Sequence, residues 1–223
     1  MNNIIEIKNL KKSYGNNNIN ILKNINFTVN KGDFISIIGP SGSGKTTLLN
    51  IIGILDTFNA GQYFFNKIDT KNLQEKEKNN FRNKNIGFIH QFHYLIPELS
   101  TIENVILPLL IGNYDYDVSM NKAKELLNEF NLNDKIHSKT KILSGGEQQR
   151  VSIARAMINS PDLIIADEMT GNLDEETSDT IFDFFLNEIR INNQSLIYVT
   201  HNEKYAKKAD IRYVISKRNI INI

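Results

Sequence analysis

Gly39-Pro-Ser-Gly-Ser-Gly-Lys45-Thr46 has the spacing of a loop that wraps phosphate, fitting G-x-x-x-x-G-K-[ST] at every fixed position. Gly39, Gly42 and Gly44 let successive backbone N–H groups turn inward as an anion-binding nest, with Pro40, Ser41 and Ser43 between them. Lys45 then reaches the β- and γ-phosphates of a nucleotide, and the Thr46 hydroxyl ligates Mg²⁺. Thr47 carries the run into a helix whose positive dipole end adds to the attraction. A Gly/Ser-rich turn before an ordinary helix is the bland alternative. Gly-Lys-Thr in this register after an apolar strand argues against it.

Two further groups could act on such a ligand. Leu163-Ile-Ile-Ala166 runs straight into Asp167-Glu168, which puts two carboxylates at the C-terminal end of a buried strand, where α/β folds keep ligands. There Asp167 would hold Mg²⁺ and Glu168 would orient and deprotonate an attacking water. Ser144-Gly-Gly-Glu147 opens a helix with the spacing of a capping box. Ser144 and Glu147 suit a cap, whereas Gly145 and Gly146 weaken a helix start and permit close approach of phosphate to free N–H groups. Two phosphate-facing helix starts with only one lysine-bearing loop suggest a dimer. Each nucleotide would lie between the loop of one subunit and the Ser144 turn of the other.

The elements that must position these residues follow from apolar periodicity. Ile4–Ile7 and Ile25–Val29 alternate as half-buried strands, and Phe34–Ile38 is a short continuous apolar run ending at the glycine loop. Thr46–Leu55 reads as a helix, Gly61–Phe65 and Ile86–His90 as strands, and Lys71–Lys84 as a polar helix. Residues 91 to 142 are strand-poor, with helical spacing at Asn121–Phe130. From Ser144 the pattern is helix to Asn159, strand Leu163–Ala166, helix Glu175–Arg190, strand Ser195–Thr200 and a short strand near Arg212–Ser216. This predicts an α/β fold with a mostly parallel sheet in one folding unit, interrupted by a helical lobe. Asn66-Lys-Ile-Asp69 matches a guanine-specificity pattern but precedes the carboxylate strand, and we read it as a chance match in a turn.

Composition narrows the partners. The 223 residues are 40% hydrophobic and 23% charged, which is globular material. Twenty-six Lys+Arg against 25 Asp+Glu leave +1, which argues against nucleic-acid binding by bulk charge. Zero cysteines remove disulfides, thiolate metal sites and cysteine nucleophiles, as suits a reducing cytosol. The first residues show no basic leader, long apolar stretch or small-residue cleavage site, so a secretory signal is not expected there. Val105–Ile111, the longest apolar run, contains Pro108 and falls far short of the ~20 residues that cross a bilayer. Any membrane role is expected through partners. Frequent Asn and Ile, including Asn16–Asn18, are read as composition bias.

GPSGSGKT, LSGGEQQR and LIIADE, with Gln91 and His201 in order between and after them, resemble the ATPase subunit of an ABC transporter. The resemblance spans essentially the whole chain. It implies a P-loop NTPase core of RecA type, an antiparallel β subdomain and an inserted helical subdomain, with the core at 1–90 and 143–223 and the helical part at 91–142. It implies ATP and Mg²⁺ as ligands. Tyr14 would stack on adenine, Gln91 would sense Mg²⁺ and the attacking water, and His201 would contact the γ-phosphate. Asn172-Leu-Asp174 would couple two sites across the dimer. One position departs from the family pattern: Met169 stands where proline usually follows the glutamate, and is expected to loosen Glu168 at a cost in rate.

The apolar, Pro-punctuated stretch Gln91–Ile111 suits a groove for a helix of a membrane partner, part of it being core. With Ala166–Asp174 it is similar to the ATPases of lipoprotein-releasing systems and, less closely, of macrolide exporters. The expected assembly is a dimer of ATPase subunits on the cytoplasmic side of the inner membrane, with permease subunits docked near residues 91–111 and lipoprotein as cargo. A cell-division ATPase signalling through a membrane partner would carry the same motifs. A DNA-maintenance ATPase would need long coiled-coil arms or a DNA-binding patch, and the sequence shows no heptads and no basic excess.

Overall fold

The computed structural model describes residues 3–15 and 19–223, so the Asn16–Asn18 patch lies outside the described residues. In chain order the first elements are β1 (Asn3–Tyr14), β2 (Ile19–Asn30), β3 (Phe34–Ile38), α1 (Lys45–Ile52), β4 (Ala60–Phe65) and β5 (Ile68–Asp69). Then come α2 (Glu75–Asn85), β6 (Ile86–Ile89), α3 (Thr101–Ile111), α4 (Tyr116–Glu129), α5 (Gly145–Met157) and β7 (Leu163–Asp167). The chain closes with α6 (Glu175–Ile191), β8 (Ser195–Val199), α7 (Glu203–Ala206), β9 (Ile211–Ser216) and β10 (Asn219–Asn222). Packing divides it into two compact units, Met1–Arg82 with Asn193–Ile223, and Asn83–Asn192.

In the first unit β2-β1-β4-β5 form an antiparallel sheet. β1 is longer than its apolar alternation predicts, because it continues past Leu10 through register shifts, with Asn9 turned to φ 51°. The turn after β4 puts Asn66 and Lys67 at φ 48° and 65°, and Asp69 caps the 3₁₀ turn that follows. The Asn66–Asp69 match thus spans the hairpin turn and the two residues of β5. β3 pairs in parallel with both β8 and β9, Ile37 facing Val199 on one side and Tyr213 on the other. β3 and β8 are apolar on both faces and buried along nearly their whole length, as parallel strands must be.

In the second unit β6 and β7 pair in parallel, Ile89 opposite Ala166. Its helical core comes from Val105, Ile106 and Leu109 of α3, Ala123 and Leu127 of α4, and Val151, Ile153 and Ala154 of α5, all buried. Helix α6 shows why a sequence of this kind folds locally. Asp174 accepts the Thr177 N–H as its N-cap, Glu175 and Glu176 sit in the first turn, and Arg190 in the last. Ile181, Phe182, Phe185 and Ile189 form its buried stripe.

β6 and α5 approach closely at Gly87, where a Cβ would lie 2.3 Å from the Ala156 carbonyl oxygen. Gly87→Ala must therefore push backbone apart, and is expected to lower stability by about 1–3 kcal/mol, seen as a drop in Tm. An unchanged melting curve would show that the two backbones do not meet.

Candidate nucleotide site

The first unit carries the phosphate loop. β3 delivers the chain to Gly39, whose φ of 156° and whose missing Cβ, 2.6 Å from the Ile215 carbonyl oxygen if present, leave room only for glycine. Gly44 ends the loop in the left-handed region at φ 101° and offers no side-chain cap to α1. Gly44 itself thus has no side chain to compete for the first N–H groups of α1. Lys45 is 7% exposed, and its Nζ donates to the carbonyl oxygens of Gly39 at 2.8 Å and Pro40 at 3.0 Å. Ser43 Oγ is buried without a protein partner, as suits a loop shaped for the polar atoms of a ligand.

Two residues expected at the nucleotide share this unit. Because Ile37 of β3 pairs with Val199 of β8, the strands end together, and His201 follows from the same sheet edge as Gly39. His201 is exposed. Tyr14, the last residue of β1, is 43% exposed, and its hydroxyl donates to Asp56.

The second unit brings Gln91, Asp167 and Glu168 together at one edge. The β6–β7 register places Ile89 beside Ala166, so both chains leave the sheet at the same level. Asn172 Nδ2 donates to the Gln91 carbonyl at 2.8 Å, and Gln91 Nε2 lies 3.2 Å from where a Gly171 Cβ would sit. The turn closes through the Gly171 N–H, 2.9 Å from the Glu168 carbonyl. Glu168 adopts φ 48°, a left-handed conformation that is uncommon outside glycine and concentrates at functional sites. A following proline restricts its predecessor; Met169 imposes no such restriction. Met169 is itself buried, so the loop is anchored by an apolar contact where proline would have fixed φ.

The turn at Ser144 is a complete capping box. The Ser144 N–H donates to Glu147 Oε2 at 2.7 Å and the Glu147 N–H to Ser144 Oγ at 3.3 Å. Glu147 thereby holds the turn. Gly145 and Gly146 have a packing reason as well: Cβ atoms there would meet Leu173 at 3.1 Å and Thr177 at 3.0 Å, at the start of α6. Asp174 spends its carboxylate on the α6 cap, and the hydrogen bond from the Thr177 backbone holds that carboxyl below its usual value.

Sequence reasoning missed several supports. Arg155 of α5 donates from both terminal nitrogens to the carbonyls of His93 at 2.6 Å and Tyr94 at 2.8 Å, tying down the loop after Gln91. Only its helical spacing from Ser144 hinted at this. Lys12 and Asp56, beside Tyr14, carried no motif at all. The apolar stretch 91–111 divides: Val105, Ile106 and Leu109 are core, whereas Phe92 and Tyr94 are 61% and 67% exposed.

Thr46 in the first unit carries a hydroxyl oxygen, and Gln91 and Asp167 in the second carry amide and carboxylate oxygens, each a hard donor of the kind that suits Mg²⁺. Among the described residues no cluster of three or more His, Cys, Asp or Glu could hold a metal by itself. In chemical type these oxygen donors fit the ion.

Comparison with known proteins gives a consistent answer. The sequence model of the family described as "ABC transporter" matches residues 22–171. A lipoprotein-releasing system ATP-binding protein, LolD, from Legionella pneumophila (strain Paris) is 42% identical over 213 residues, 94% of each chain. The protein of that name from Buchnera aphidicola subsp. Acyrthosiphon pisum is 45% identical over 225 residues, covering 100% of this chain and 99% of its own. Among solved structures, the dimeric post-hydrolysis state of the ATP-binding cassette MJ0796 bound to ADP and Pi superposes with a TM-score of 0.86 at 36% identity, covering 97% of this chain and 96% of that one.

Proposed function

This chain belongs to the ABC transporter family, and from that premise we propose that it is the ATP-hydrolysing subunit of a lipoprotein-releasing transporter. The observation that carries the reading is end-to-end similarity to LolD proteins of distant bacteria, on a chain whose phosphate loop is fully formed.

ATP is the substrate. Its triphosphate enters the nest of Gly39–Thr47, and the Lys45 ammonium exchanges the Gly39 and Pro40 carbonyls for phosphate oxygens. Tyr14 offers its exposed ring to the adenine. Thr46, Asp167 and Gln91 would hold Mg²⁺, which neutralises phosphate charge and aids its departure. Glu168 takes a proton from the attacking water, its oxygen bonds to the γ-phosphorus, and the bond to the β-γ bridging oxygen breaks, leaving ADP and phosphate. His201 contacts the γ-phosphate. The Ser144, Gly145 and Gly146 turn, held by Glu147, serves the nucleotide of a second copy, and Asn172–Asp174 link the two sites. The dimeric state of the MJ0796 structures supports this pairing.

Among the described residues no helix is long and apolar enough to cross a membrane. We place the chain on the cytoplasmic face of the inner membrane, docked to permease subunits through the exposed aromatics of 91–96 and the adjoining α3. The test is to copurify it with the membrane subunits of a lipoprotein-releasing system and follow ATP-dependent release of a lipoprotein from proteoliposomes. Release that stops without this chain is expected. Copurification with drug efflux instead of lipoprotein release would replace the cargo assignment with that of a macrolide-type exporter.

A further inference from the structure

Lys12 is a buried cation outside every motif so far described. It lies two residues before Tyr14 on β1, on the same face of the strand, and is 6% exposed. A buried ammonium without partners is costly, and this one is satisfied three ways. Its Nζ donates to Asp56 Oδ1 at 2.7 Å and to the Thr57 carbonyl at 2.6 Å, and it stands 4.4 Å from the centroid of the Tyr14 ring. Asp56 accepts the Tyr14 hydroxyl on its other oxygen. Burial pushes the Asp56 carboxyl up, but the hydrogen bonds from Lys12 and Tyr14 outweigh it and hold the group ionised below its usual value. The backbone is knit at the same place: the Asn59 N–H donates to the Lys11 carbonyl at 2.9 Å, and the Ser13 N–H to Asn59 Oδ1 at 2.8 Å.

We infer that Lys12 and Asp56 are positioning residues for nucleobase recognition, fixing the Tyr14 ring with one face on the Lys12 ammonium and the other open to a planar base. The inference rests on the proposed stacking role of Tyr14. A tyrosine held at its hydroxyl and beneath its ring has lost its rotamer freedom before the base arrives, so binding does not have to order it. A pair that only stabilised the end of β1 would support the phosphate loop and the base contact alike. A pair that orients the ring acts on the base alone.

The test compares the calorimetric affinities of Mg–ATP and of Mg–inorganic triphosphate, which has no base. Lys12→Met, which keeps the length of the stem, is expected to weaken ATP binding about three- to tenfold and to leave inorganic triphosphate within about twofold of the parent. In a Tyr14→Ala background it should have no further effect. Tyr14→Phe, which removes only the tie to Asp56, should lose part of the same selectivity and covers the case in which Lys12→Met does not fold. In steady state the loss should appear in KM with kcat retained. Equal weakening of both ligands, no change in either, or an undiminished effect of Lys12→Met on top of Tyr14→Ala would overturn the inference. If Tyr14→Ala itself spares ATP affinity relative to inorganic triphosphate, the stacking role falls and this inference with it. If Tyr14→Ala loses that affinity while Lys12→Met does not, stacking stands and only the positioning role is lost.

Discussion

Glu168→Gln is expected to bind ATP about as tightly as the parent and to turn it over at least about 100-fold more slowly, as loss of a positioned general base requires. Glutamine matches glutamate in shape and keeps the left-handed turn, the Gly171 N–H contact to the residue 168 carbonyl and the buried Met169 beside it. What it lacks is a basic oxygen to accept the proton of water. With the γ-phosphate retained, the paired form of the chain should accumulate and elute as a dimer in ATP but not in ADP. Parent-like turnover in a rapid phosphate-release assay would remove Glu168 from the role of base.

Lys45→Ala should act one step earlier. The ammonium is nearly enclosed by its own loop and has two carbonyl acceptors there. Its removal takes away both the cation proposed to meet the phosphates and the donor around which Gly39 and Pro40 curl. A charge-assisted contact to a triphosphate is among the strongest single interactions in such a site. We expect ATP affinity or turnover to fall by about 100-fold or more, measured by calorimetry and phosphate release. The fold should persist, since β3 and α1 are held by Ile35, Ile37, Leu48 and Ile52, all buried. Unchanged binding and turnover in a folded variant would take the loop out of the mechanism.

The parts of the molecule legible in sequence are those whose chemistry is local. Phe34–Ile38 followed by the glycine loop announces a strand, a nest and a helix because each is specified within a few residues, and β3 and α1 form there. The Ser144–Glu147 cap is equally local. Helix α3 was hidden because Pro108 breaks its pattern near the end. The same element opens on a second complete capping box, Ser100 with Glu103, that periodicity did not register. The outer reach of β1 owes its form to β4, a partner distant in sequence, whereas β10 folds back on its neighbour β9 through a tight turn in which Lys217 and Arg218 both take positive φ. Arg155 and Lys12 were illegible for a further reason. Each acts through backbone carbonyls about 45 or 60 residues away, and no spacing rule encodes such a contact.

The cap at Ser144 leaves its hydroxyl half engaged. One oxygen lone pair accepts the Glu147 amide, which leaves the proton and the second lone pair to meet other groups. The serine that closes its own helix start therefore retains a hydrogen to give, and an anionic oxygen is one acceptor it would suit.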